Sequence, residues 1–521
     1  MTSPSRRPPW YLALPALACA VAVMLPLGYL VVRSLGADAQ QVGRAVFRRQ
    51  SWAQLSNTLL LCAAVVGVTT LTALPAAWLT SRTDLPMRRF FALALVLPLA
   101  IPGYLMAYTL LSLGGDYGAV FHLTGVSVPR LRGFTGSLVA LSVYNFPYML
   151  LNLRAGLGAY DTSLEEVARS LGHRPGRVFF SVVLPQLRPA ILAGALLVSL
   201  HVVSDFGVVS LMRYETFSYA LYQAYQGAYG TRGAAPIALL MMALAGVFII
   251  AELLMLRRVV LTRAGAGQAR VRRPIRLRRW TLPALGFVGA LFLVGVVLPV
   301  FTIVYGSWGL DLSVHWGSIR RAVMDSLSVS APSALAATVL AMSIAYMARR
   351  YPSRWSASLE RLGFLGYATP PLAFALGLLV VTLRVVPGLY QTAFVLVYAY
   401  SLHFLAEAVG PIRAGLFAAN PRLEEASRAL GYGPISTFAR VTLPLLRPGL
   451  AVSLSLVFLS SMKELPLTML LAPPGFETLS MNIWQYTEDA MYASAAPYAL
   501  MVLGISAIFV GVLVFHERRV T

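Results

Sequence analysis

Residues Glu165–Pro189 read EEVARSLGHRPGRVFFSVVLPQLRP, and about 259 residues further on Glu424–Pro448 read EEASRALGYGPISTFARVTLPLLRP. Roughly half of the aligned positions are identical and no gap is needed, so about half the chain separates two copies of one element. Each copy is polar and basic, yet both are flanked by apolar runs long enough to cross a bilayer. A structured loop facing water and presented twice reads as a docking surface.

Working outward, the composition sets the class. Hydrophobic residues make up 58% of the 521-residue chain and charged residues 12%, about half the charge of an ordinary soluble protein. Apolar runs near twenty residues recur, the length a helix needs to cross the hydrocarbon core. A helix satisfies its own backbone polar groups in lipid, and the alternating segments of a membrane β-barrel do not occur. The expected fold is all-α integral membrane, with about twelve transmembrane helices. Expected spans in the first half are Tyr11–Val32, Asn57–Leu79, Phe90–Ser112, Phe134–Leu157, Ala190–Met212 and Pro236–Leu256. Those in the second are Pro283–Tyr305, Ser326–Ala348, Gly363–Leu383, Thr392–Leu416, Gly449–Leu471 and Ala496–Phe515. The run after Arg6 and Arg7 is too long for a cleaved leader and reads as a retained first span.

The net charge of +22 follows from membrane topology rather than nucleic-acid binding. Starting with the N-terminus in the cytoplasm and alternating, about 30 basic residues fall inside and about 11 outside. This places both repeated loops and both termini in the cytoplasm. Residues 262–280, TRAGAGQARVRRPIRLRRW, form a basic stretch without an apolar run and read as a linker at the inner membrane surface. The domains are then 1–261, the first six-span half, and 281–521, the second. Asn57-Thr58-Leu59 pairs with Asp325-Ser326-Leu327, and Ile101-Pro102-Gly103 with Thr369-Pro370-Pro371, which extends the duplication beyond the loop. Equal span counts on either side of each loop make the halves parallel repeats about an axis along the membrane normal. Cys19 and Cys62 both sit in apolar runs and suit neither a disulfide nor a metal site.

The physics of the loop is the same in both copies. Two glutamates open a short amphipathic helix, where the helix dipole favours acids. Gly172 and Gly431 supply the left-handed residue that ends it. Pro175 and Pro434 suit the first turn of a second short helix. Leu-Pro and Arg-Pro then restrict the chain as it returns to the membrane. The expected product is a rigid helix-turn-helix against the inner face.

This pattern resembles the cytoplasmic signature of permease subunits of bacterial ABC importers: EAA, three residues, Gly, nine residues, then I-x-L-P. The first copy carries Glu166-Val167-Ala168, Gly172, Val182 and Leu184-Pro185; the second carries Glu425-Ala426-Ser427, Gly431, Val441 and Leu443-Pro444. Val167 and Ser427 replace alanines, and Val182 and Val441 replace the isoleucine. The resemblance covers essentially the whole chain. It implies a type I importer fold and a non-enzymatic permease working by alternating access. The ATPase-coupling residues it implies are Glu165, Glu166, Ala168, Gly172, Leu184, Pro185, Glu424, Glu425, Ala426, Gly431, Leu443 and Pro444. No Walker A motif is possible, because Lys463 is the sole lysine and lies in an apolar span. The resemblance therefore implies two copies of a separate ATP-binding subunit, which would carry ATP and magnesium, and an extracytoplasmic substrate-binding protein. This chain itself is expected to hold no cofactor, catalytic residue or metal.

For cargo, Lys463-Glu464-Leu465-Pro466, then Pro473-Pro474-Gly475-Phe476-Glu477-Thr478-Leu479 and Trp484, resemble ferric iron permeases. Thiamine, polyamine and phosphonate permeases share the scaffold. An ion-coupled secondary transporter is the alternative from another class, and it leaves the twin loop unexplained. Charges inside spans mark a pathway or an interhelical pair, which makes Asp205, Lys463 and Glu464 candidate pathway residues. Pairing of Asp205 with Lys463 is the competing structural reading. His201, Glu252, His403 and Glu407 are weaker candidates.

Overall fold

Long apolar runs with small and hydroxyl residues at their contacts give helices throughout the computed structural model, which describes residues 10–35, 49–116, 118–159, 163–227, 230–256, 274–308 and 312–520. Arg6, Arg7 and most of the 262–280 linker lie outside the described residues, as do the side chains of Glu252, Arg518 and Arg519.

Twelve spans emerge among the described residues when each bent pair counts as one. They are α1 (Leu12–Val32), α2 (Arg49–Arg82), α3 (Arg88–Ala100 with Gly103–Leu113), α4 (Gly133–Gly158), α5 (Pro175–Ser204) and α6 (Ala234–Ala251). The second set is α7 (Arg278–Gly306), α8 (Trp316–Arg350), α9 (Arg354–Ala368 with Pro371–Val385), α10 (Ala393–His403 with Leu405–Phe417), α11 (Pro434–Met462) and α12 (Tyr492–Phe509). Large apolar side chains on outer faces, such as Leu71, Val247, Leu282 and Ile508, stay exposed, as suits a lipid-facing surface. Hydroxyls inside the spans return to the carbonyl one turn back, as Thr58, Thr69 and Thr109 do, which satisfies these donors within the apolar interior.

Two spans differ in shape from the sequence expectation. The fifth of each half was expected to start at Ala190 and Gly449, after a separate short helix. Instead α5 and α11 run unbroken from Pro175 and Pro434. The reason lies at the Leu-Pro step. Proline lacks an N–H, and its ring collides with the carbonyl four residues earlier. Here that carbonyl sits in a widened π-type turn, Phe179–Val183 before Pro185 and Phe438–Thr442 before Pro444. The wider turn absorbs the clash, so the prolines leave the helix continuous. The same device, Leu293–Val297, precedes Pro299 in α7. At their far ends both spans stop early, at Ser204 and Met462, and short helices Gly207–Leu211 and Pro466–Leu471 follow.

The compact units are cut differently from the sequence repeats. One comprises Met1–Arg48, Leu221–Met242 and Gly309–Thr521; the other comprises Arg49–Ala220 and Ala243–Trp308. Within the first, α1 packs on α8 and α9. There a Cβ on Gly377 would meet the Pro26 carbonyl oxygen at 2.6 Å, so only glycine allows so close an approach. Within the second, α7 packs on α3 and α4. Each repeat's opening helix therefore joins the core of the other repeat. The described end of the linker is pinned rather than loose: Ile275 N–H donates to the Arg82 carbonyl at 2.8 Å, and Leu277 N–H to Asp84 Oδ1 at 2.8 Å.

Candidate functional site

The repeated loop begins with a short helix, Ser163–Ser170 in one copy and Pro421–Ala429 in the other. Gly172 and Gly431 end them with φ of 81° and 89°. His173 N–H reaches back to the Ala168 carbonyl, and Tyr432 N–H to the Ser427 carbonyl, each at 3.2 Å. This is the six-to-one closure of a glycine-terminated helix, made identically twice.

One face of each helix is buried and one is open. Glu165 and Ala168 point inward, as do Glu424 and Ser427. Glu165 receives Arg82 of α2 at 2.7 Å and Arg169 at 2.6 Å. Glu424 receives Arg350 of α8 at 2.8 Å and Arg428 at 3.6 Å, with further hydrogen bonds from Tyr346 Oη at 3.2 Å and Thr442 Oγ1 at 3.0 Å. The arginine occupies matching places at the ends of two long spans. Edge-to-face rings reinforce both joints, Trp78 with Phe179 and Tyr346 with Phe438. The first glutamate of each copy is thus an anchor tying the loop to α2 or α8, not a surface acid.

The open face carries the second glutamates, Glu166 and Glu425. It also carries a line of exposed apolar residues, Leu164, Val167 and Leu171 in one copy and Leu423, Ala426 and Leu430 in the other. The steps of three and four place each line on one stripe of a helix. The sequence reading missed this stripe, although the spacing was there to be read. Of the motif alanines, Ala168 is inward but Ala426 is outward, because Ser427 holds the inward place and bonds Thr437 at 3.1 Å. Leu184, Pro185, Leu443 and Pro444 lie inside the continuous α5 and α11.

The candidate pathway acids sit at matched helix breaks. Asp205 Oδ1 accepts the Val208 N–H at 2.8 Å, and Glu464 Oε1 accepts the Leu467 N–H at 3.0 Å. Each caps the short helix that follows. Ser218 Oγ donates to the Asp205 carbonyl at 2.5 Å and Ser480 Oγ to the Glu464 carbonyl at 2.7 Å. The Asn-Thr-Leu and Asp-Ser-Leu pair explains itself here: Thr58 Oγ1 accepts from Phe217 N–H, and Ser326 Oγ from Leu479 N–H. Much of the Lys463–Leu479 stretch therefore braces the break. Lys463 meets the charge of Glu407 within its own unit. His201 stacks on Tyr148 at 4.3 Å, and His403 is buried among Tyr367, Phe374 and Phe404. Among the described residues, no three His, Cys, Asp or Glu are grouped to hold a metal ion.

Each unit thus carries one amphipathic helix with the same closure, the same anchor and the same outward stripe. The model of the binding-protein-dependent transport system inner membrane component aligns twice, to residues 69–263 and 337–521.

The chain belongs to that family.

It is a multi-pass inner membrane component of a transport system that depends on a binding protein. It is 32% identical over 524 residues to the Fe(3+)-transport system permease protein FbpB 2 of Haemophilus influenzae, covering 99% of both chains. It is also 32% identical over 200 residues to the molybdenum transport system permease protein ModB of Escherichia coli, covering 36% of this chain and 86% of that one. A probable sulfate transport system permease protein of Nephroselmis olivacea is 27% identical over 216 residues, covering 41% and 75%. The inner membrane component thus occurs here as a fused pair.

Proposed function

We propose that this chain is the fused permease of an ATP-driven importer for ferric iron. The observation that carries the cargo is coverage: the iron relative matches both halves end to end, whereas the molybdenum and sulfate relatives each match well under half of the chain. The two outward stripes support the energy source. An apolar line on a helix outside the bilayer wants a partner, and two such lines suit two copies of a separate ATP-binding subunit that holds ATP and magnesium. Binding of ATP would draw the two subunits together, and the anchored loops would carry that motion into α2 and α8 through Arg82 and Arg350. The positive-inside count supports loops and termini in the cytoplasm, opposite the binding protein.

The deciding experiment measures the cognate binding protein and the transporter together. Elemental analysis of the purified binding protein should find iron, and proteoliposomes holding the permease with its ATPase should take up iron only with ATP inside the ATPase compartment. A binding protein that carries an oxyanion or an organic ligand instead would refute the ferric reading; uptake without the ATPase would refute the coupling.

A further inference from the structure

Glu407 is an exception in its surroundings. It lies one turn past the 49° bend of α10, and its neighbours Leu405, Ala406, Ala408 and Val409 are sealed in the core. Glu407 itself is only half-buried. Lys463 repeats this pattern at the end of α11: Ser461, Met462, Glu464 and Leu465 are buried, while Lys463 keeps partial access. Ser460, also half-buried, donates its hydroxyl to Glu407 Oε2 at 2.7 Å. Two helix breaks thus bring a carboxylate and a hydroxyl into contact, with an ammonium near enough to act on the carboxylate's charge, and all three stay partly accessible. Broken helices whose ends face an opening are where transporters handle charged cargo, and charges at membrane depth are retained for a pathway or a pair.

The other repeat sharpens the point. Tyr148, His201 and Ser204 occupy the positions matching Glu407, Ser460 and Lys463, and all three are likewise half-buried. There a phenol stacks on an imidazole, and the three positions carry no formal charge pair. The anchors at Arg82 and Arg350 recur in both repeats, whereas the charges of Glu407 and Lys463 have no counterpart at the matching positions of the first. This combination of charges belongs to one repeat alone, as a cargo contact can.

We propose that Glu407 and Ser460 Oγ form a transient oxygen-donor site for the cargo cation, and that Lys463 balances the carboxylate when cargo is absent. Hard, highly charged cations prefer carboxylate and hydroxyl oxygens. A site of two donors is weak, which suits a step the ion must leave. The arriving cation displaces the ammonium, and the ammonium returns when the ion moves on, so the carboxylate is never left uncompensated. The inference rests on the reading of the cargo as a metal cation.

The test uses the full complex in proteoliposomes, with metal-loaded binding protein outside. Glu407→Gln should lower iron uptake at least tenfold, and Glu407→Asp should recover a third or more of it. The double variant Glu407→Gln with Lys463→Met replaces the pair by neutral side chains of similar size. It should assemble with the ATPase at wild-type yield and still transport at least tenfold less. Uptake by the double variant within twofold of wild type would overturn the proposal and leave a structural ion pair. Lys463→Met alone gives a second, transport-free reading: terbium luminescence of the solubilised permease should show at least fivefold tighter binding than wild type, and no change would count against the site. A binding protein free of metal ends the ferric reading itself, whereas a metal-loaded one with a transporting double variant removes only Glu407.

Discussion

The anchor at Glu165 and the anchor at Glu424 share an arginine, a helix and an edge-to-face ring pair, but not the groups around the carboxylate. Tyr346 and Thr442 donate to Glu424. The first repeat has Trp78 and Val183 at those places: the valine has no donor, and the indole lies beneath the Arg82 guanidinium, 5.5 Å from its ring centre. One anchor is built from charge and ring contact, the other from charge and a hydroxyl network. Duplication preserved the ion pair and let its support diverge. The ion pair is therefore the part that both loops need, and the support decides how much each loop tolerates its loss.

Removing the arginines separates these contributions and should give the largest effect. Breaking a buried ion pair by deleting one partner costs about 3–5 kcal/mol, and both carboxylates here are buried. Arg82→Met should therefore destabilise strongly. Arg350→Met should cost a similar amount, because Tyr346 and Thr442 still donate to Glu424 while Arg169 at 2.6 Å still meets Glu165. Thermal unfolding of the purified complex and coupled transport report both losses. A much larger loss in either variant would mean that the remaining arginine and the hydroxyl network are not equivalent supports. Next in size, Gly172→Val and Gly431→Val force a β-branched residue into the left-handed region, at about 1–2 kcal/mol each. A Cβ at either site meets nothing within 4 Å, so the two should match, and ATP hydrolysis should continue while transport falls. Tight coupling in either variant would break the parallel. Of similar size, Thr442→Val gives the second anchor the valine of the first and should cost about 1–2 kcal/mol, read by the same unfolding assay.

How much of this could be read in the chain depends on the distance over which each feature is encoded. The span count was legible, because twenty apolar residues in a row are a local signal. The loop's glycine closure was legible for the same reason. The anchor was not: Glu165 and Arg82 are 83 positions apart, and Arg82 counted only as one more cytoplasmic charge. The crossing of α1 into the other repeat's core was also hidden, since an apolar helix reports its period and not its partner. The breaks at Asp205 and Phe404 fall inside apolar runs, where hydropathy stays high through a bend. Asp205 and Glu464 stood out as charges at membrane depth, but that they cap helices needed coordinates. Glu407 ranked low because nothing beside it in the sequence announces Ser460 or Lys463.

The outward stripes give the finest form of the comparison. Leu171 and Leu430 are more than 70% exposed, so replacing either by glutamine removes no packing and should shift stability by less than about 0.5 kcal/mol. Capture of the ATP-binding subunit should nonetheless weaken by about tenfold, since an apolar side chain sealed in a partner's cleft is worth about 1.5–3 kcal/mol. The middle position then discriminates between the copies. Val167 presents two more side-chain carbons than Ala426 does at the matching place, so the first loop should hold its subunit slightly more tightly. Val167→Ala and Ala426→Val exchange that difference. In co-purification at graded detergent or salt, the first should weaken capture and the second strengthen it, each by a few-fold. If both changes weaken capture, each stripe is fitted to its own partner surface, and the two docking sites are not interchangeable.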